Sequence, residues 1–129
     1  MADLKELIQG ADWKTEKHVP VIEVSGKPGK DQVLSVTVSV GKEITHPNTT
    51  AHHIAGIAVY FLPQGGKFPY EIGRADFIAH GASTEGADTS TVYTAPEITL
   101  KLKTEKPGMI LASSYCNIHG LWQGSAEVK

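Results

Sequence analysis

One cysteine and six histidines are the residues of this 129-residue chain best suited to holding a metal. The cysteine stands three residues before a histidine, in Cys116-Asn117-Ile118-His119-Gly120-Leu121-Trp122. Upstream lie Glu16-Lys17-His18-Val19-Pro20 and His46-Pro47-Asn48-Thr49-Thr50-Ala51-His52-His53. A single cysteine cannot close an internal disulfide, and among several histidines it is a candidate thiolate ligand or nucleophile. Thiolate and imidazole suit iron, copper and zinc. The two-residue gap between Cys116 and His119 lets a turn aim both at one ion. Pro47, Asn48 and Thr49 favour a turn between the next two donors, and His18 enters on the extended pair Val19-Pro20. Adjacent residues of an extended chain point to opposite faces, so His52 and His53 do not easily share a metal. With one of that pair, four His and one Cys are available. That exceeds the four ligands of ordinary zinc and leaves one position open on a six-coordinate ion. Taken singly, each histidine is more often a surface or hydrogen-bonded core residue. A lone buried cysteine is more often an inert hydrophobe. His80 fits no ligand motif and reads as a loop residue.

The elements that must position these donors read mostly as strands. Leu34, Val36, Val38 and Val40 alternate with Ser35, Thr37 and Ser39, and Ile98, Leu100 and Leu102 alternate with Thr99, Lys101 and Lys103. That period of two predicts strands with one face buried. Residues 54–62 are apolar on both faces. Ile54, Ala58, Tyr60 and Leu62 are expected on one side, and Ile57, Val59 and Phe61 on the other. Such a strand is central in its sheet or lies at a subunit contact. Weaker strand patterns cover 21–25, 70–78, 89–93 and 109–115. Breakers separate them at Lys27-Pro28-Gly29, Pro63-Gln64-Gly65-Gly66, residues 81–86 and Lys106-Pro107-Gly108. About seven short strands with turns between them predict an antiparallel β-sandwich. Residues 3–9 predict a brief helix, with Asp3 and Glu6 at capping-box spacing and Gly10 as its stop. Its stripe of Leu4, Leu7, Ile8 and Ala11 must dock on the body, because so short a helix is marginal alone.

The chain is long enough to bury a core as one domain, 1–129. With 12 Lys and Arg against 14 Asp and Glu, it lacks the basic excess expected for nucleic acid or an acidic membrane surface. No apolar run approaches the roughly 20 residues of a membrane span, and the N-terminus lacks a signal-peptide layout. The cytoplasm is the expected compartment, and its reducing conditions suit a functional thiolate.

The three histidine strings, in their order and spacing, together with Gly41-Lys42-Glu43-Ile44 and Gly73-Arg74-Ala75, resemble the one-iron superoxide reductases, also called neelaredoxins. The resemblance spans most of the chain. It implies an immunoglobulin-like sandwich, in agreement with the strand pattern, and a mononuclear iron that cycles between ferrous and ferric. His18, His46, His52 and His119 are implied as equatorial ligands and Cys116 as the axial one. It selects His52 over His53. It implies that Lys17 draws superoxide to the open position and orders a proton-donating water, and that Glu16 fills that position once iron is oxidised. The product implied is hydrogen peroxide, the electron donor rubredoxin or another small redox protein, and the assembly a homotetramer or dimer. Two departures stand out. Ala51 replaces the family's usual Glu before the paired histidines, and no second cysteine cluster is present to hold a rubredoxin-like iron. Two other readings of the same residues are a blue-copper electron carrier and a metal-free immunoglobulin-like binding module. The copper site usually has an axial Met close behind its Cys-x-x-His loop, whereas the two methionines here are Met1 and Met109.

Overall fold

The computed structural model describes Met1–Lys129. Its elements are α1 (Leu4–Leu7), β1 (Val21–Ser25), β2 (Leu34–Ser39), β3 (Ile54–Pro63), β4 (Tyr70–Asp76), β5 (Glu97–Leu102), β6 (Gly108–Cys116) and β7 (Gly120–Val128). Strands β1-β2-β5 form one sheet and β4-β3-β6-β7 the other, with every neighbouring pair antiparallel. The expected all-β sandwich is thus present.

The alternation in β2 buries Leu34, Val36 and Val38 completely, while Ser35, Thr37 and Ser39 stay partly exposed. These three meet Ile57, Val59 and Phe61 of β3 and Ile110 and Ala112 of β6 in the core between the sheets. Burying an aliphatic side chain of this size contributes about 1.5–3 kcal/mol of transfer free energy. Ile98, Leu100 and Leu102 of β5 pack against the same core.

β3 is central, hydrogen-bonded to β4 on one side and β6 on the other. Its face assignment differs from expectation at one residue. Ile54 is buried with Ile57 and Val59 rather than lying with Ala58 and Tyr60. The register against β6 shifts between Ile54 and Gly56, and the extra residue of such a bulge moves Ile54 across to the core face.

Three other expectations are corrected. Helix α1 is one turn, Asp3 makes no side-chain cap, and Leu4 and Leu7 are exposed. The N-terminal segment attaches instead through backbone bonds from Gln9 and Gln123, which bridge it to β7. Residues 89–93 form no strand. Asp88 and Thr91 have φ of 57° and 62°, which breaks the extended run that Thr, Val and Tyr favour. Residues 120–128 form β7, an edge strand absent from the sequence pattern set out above. Trp122, Gly124, Ala126 and Val128 do alternate with Gln123, Ser125 and Glu127, but two small residues on the inner face weaken the signal. No helix is long and apolar enough to cross a membrane.

Candidate metal centre

Three connections gather at one end of the sandwich. Cys116 is the last residue of β6 and pairs with Gly120, the first of β7. Asn117, Ile118 and His119 span the turn, and Gly120 takes φ of 79°. A three-residue hairpin loop closed by a left-handed glycine has this form, so the Cys-x-x-His-Gly spacing is itself the turn. Cys116 is fully buried and its Sγ accepts the His119 N–H at 3.4 Å. His46 and His52 lie on the connection between β2 and β3. The φ of Gly41 is 89°, and a Cβ there would stand 2.8 Å from the His46 amide nitrogen, so only glycine admits this path. His18 precedes β1. Its carbonyl accepts Ser114 Oγ–H of β6 at 2.9 Å, and its ring stacks on Trp122 of β7 at 4.7 Å and 13°.

The four imidazoles form a closed ring. Centroid separations are 4.8 Å from His18 to His46, 4.9 Å from His46 to His52, 5.2 Å from His52 to His119 and 4.8 Å from His119 to His18. Donor atoms of His18, His52, Cys116 and His119 lie within 4.8 Å of one another. His46 stands outside that tighter group and completes the ring of rings. His18 Nδ1 bonds Glu16 Oε1 at 2.7 Å, and His46 Nδ1 donates to the Pro47 carbonyl at 2.6 Å. Such partners fix tautomer and ring orientation, leaving the two Nε2 atoms as donors. His119 instead offers Nδ1, 3.2 Å from His18 Nε2 and 3.9 Å from Cys116 Sγ.

A metal fits this donor set. The Nε2 atoms of His46 and His52 are buried with no hydrogen-bond partner. Each such orphan costs about 1–3 kcal/mol, a cost that coordination removes. Burial pushes the pKa of His46 down to about 4 despite its bond to Pro47, with His18, His52 and Lys17 adding to the effect. His52 is lowered as well, first by burial and then by the charges of His119 and Lys17. Both therefore stand as neutral imidazole at neutral pH, the form that binds metal. Burial of Glu16 would raise its carboxyl, but the bonds to the His18 ring and backbone N–H outweigh it, and the net direction is down.

All five expected donors thus converge. Lys17 is half-buried and near enough to influence two of them. Glu16 lies on the Nδ1 side of His18, behind the donor atom. His53 turns away from the ring of donors and stacks on His80. Sequence reasoning did not find Ser114, Trp122 or Asn117 as supports. Asn117 accepts the His53 N–H at 2.9 Å and donates to the Ala51 carbonyl at 2.9 Å. The backbone at residue 51 is therefore held without the family's usual glutamate. The signal for Asn117 was its position between two donors, but its partners lie more than sixty residues away.

The chain is similar along most of its length to known proteins. The desulfoferrodoxin family matches residues 10–125. The neelaredoxin of Megalodesulfovibrio gigas is 53% identical over 95% of this chain and 95% of its own. The superoxide reductase of Pyrococcus furiosus is 52% identical over 98% and 99%. The reduced superoxide reductase (neelaredoxin) of Archaeoglobus fulgidus superposes with a TM-score of 0.90 at 59% identity, covering 95% of this chain and 98% of that one.

Proposed function

The chain belongs to the desulfoferrodoxin family and its activity is that of a superoxide reductase; we propose that the reaction runs at one iron held by His18, His46, His52, His119 and Cys116. The observation that carries this is the closed ring of four imidazoles beside a buried thiol, with two buried Nε2 atoms lacking any other partner. A trigonal copper site would leave two of these imidazoles idle. Bound there as the ferrous ion, iron supplies one electron, an open position and a positive charge that Cys116 thiolate halves but does not cancel.

This chain's residues do the rest. Lys17 adds positive charge beside the site, where a small anion must arrive, and an ammonium can order a water that donates a proton. Glu16 holds the His18 ring through Nδ1. Were its carboxylate to turn toward the ion instead, as the family resemblance implies for the oxidised state, it would have to release both His18 bonds. The net change joins superoxide, one electron and two protons to give hydrogen peroxide. The electron comes from an external donor, rubredoxin or a similar small redox protein. We place the enzyme in the cytoplasm as a one-domain protomer of a homotetramer or dimer.

Purified protein should carry about one iron per chain and consume superoxide while oxidising the supplied donor. Disproportionation with no net donor oxidation would make it a dismutase and overturn the reading. A high-spin ferric resonance in the oxidised protein is expected, and a cupric one would favour the copper carrier.

A further inference from the structure

His80 lies outside the donor set, yet it touches three residues of the segment that carries His46 and His52. Its Nδ1 faces Asn48 Oδ1 at 3.2 Å, its carbonyl accepts Thr50 Oγ1–H at 2.6 Å, and its ring stacks on His53 with centroids 3.4 Å apart at 5°. On its other side Nε2 donates to the Phe77 carbonyl at 2.5 Å. Each contact with the 46–53 segment falls within two residues of a donor. The residue is buried.

The polarity of these bonds is fixed. Asn48 Nδ2 points at the Thr94 carbonyl, 3.1 Å away, and a carbonyl only accepts. Asn48 Oδ1 must then face His80. The Phe77 carbonyl likewise demands a proton on Nε2. The ring is thus held on both sides, by the Phe77 carbonyl at Nε2 and by the Asn48 side-chain amide at Nδ1. Asp88 is a charged group that also holds this segment. Its carboxylate bonds the Thr50 N–H at 2.9 Å and the Tyr93 hydroxyl at 3.1 Å.

The segment closes a local turn, with Thr49 Oγ1 accepting the His52 N–H and His53 Nδ1 donating to the Thr49 carbonyl, but these bonds do not tie it to the body of the fold. Its one internal backbone hydrogen bond runs from Thr49 N–H to the His52 carbonyl. A segment without a strand ladder takes its position from side-chain clasps. We propose that His80 is a positioning residue of the metal centre: with Asn48 it clasps the 46–53 segment to residues 77–94 and keeps His46 and His52 aimed at the ion. This rests on the reading that the four histidines and Cys116 hold one metal.

The variant His80→Phe keeps a ring stacked on His53 and removes both ring nitrogens. The readouts are the rate of iron transfer from the folded protein to a chelator and the energy of the thiolate-to-iron absorption band. Release should accelerate about tenfold, the scale typical of a lost outer partner, and the band should shift. Asn48→Ala should shift it the same way. The double variant should release little faster than either alone, because the two groups act as one. Should His80→Phe fail to fold, Asn48→Ala carries the test. Wild-type iron near one per chain, with a band that Cys116→Ser removes, establishes the centre separately. Without those results the metal reading falls, and this proposal with it. With them, wild-type release rates and unshifted bands in the variants overturn the positioning role alone, even if the metal-free variants unfold more easily.

Discussion

Cys116 and Lys17 differ in what they contribute, and each can be removed alone. In the proposed centre the Cys116 sulfur would supply the orbital for charge transfer to iron. Cys116→Ser should therefore abolish the visible colour of the oxidised protein. A spectrum unchanged by that substitution would mean that the sulfur is not a ligand. In the role proposed for it, Lys17 acts earlier, on arrival of the anion. Its charge lies beside His46 and His52, where it already suppresses their protonation. Long-range attraction of this kind is screened by salt. Lys17→Ala should slow the second-order reaction with superoxide and flatten its ionic-strength dependence. Pulse radiolysis across a salt series measures both, and wild-type rate and slope in the variant would refute the steering role.

Two loops present four of the five proposed donors, and a left-handed glycine shapes each. A Cβ added at Gly120 would meet nothing within 4 Å, whereas one added at Gly41 would stand 2.8 Å from the His46 amide nitrogen. Gly120→Ala should therefore cost about 1–2 kcal/mol, the ordinary strain of a left-handed L-residue. Gly120→Asn should recover part of that, since Asn tolerates the conformation. Gly41→Ala adds a backbone clash, so it should cost more and weaken iron retention as well. Denaturant titration with metal analysis separates the two, and equal effects would contradict the geometry. The elements behind these loops were unevenly legible in the sequence. β2 and β5 could be read because one face of each is wetter than the other. The bulge at residues 54–56 could not, since a bulge is set by pairing with β6 rather than by local composition. Residues 89–93 carried strand-forming side chains, but Asp88 and Thr91 sit at positive φ within a loop bonded to itself. The proposed donors were legible as three strings. The clasp at His80 was not, because His80 and Asn48 are 32 residues apart and neither belongs to a metal motif.

At the scale of the molecule, the outer face of the four-stranded sheet is apolar where β3 meets β6. Tyr60 pairs with Leu111 and Leu62 with Met109, and all four are half-buried within one chain. A second copy would cover them, in keeping with the proposed homo-oligomer. Sedimentation at micromolar concentration should show a species larger than the monomer, and Leu111→Lys should move it toward monomer. A wild-type monomer alone would refute this. The ring of imidazoles also has a consequence for the chain as a polymer. His18 and His119 are 101 residues apart in sequence, and His46 and His52 add a third segment. One ion joining them, as proposed, would act as a cross-link. A permanent link around a loop of this length removes denatured-state entropy worth about 4.7 kcal/mol. Stripping the metal should loosen the N-terminal segment first, because α1 buries none of its residues. Limited proteolysis should then cut chelator-treated protein between residues 10 and 17 well before the iron-loaded form, and equal cutting rates would contradict it. The lifetime of the polypeptide would thus follow the supply of iron: starved chains are cleared, and the amount of enzyme tracks the metal that makes it useful.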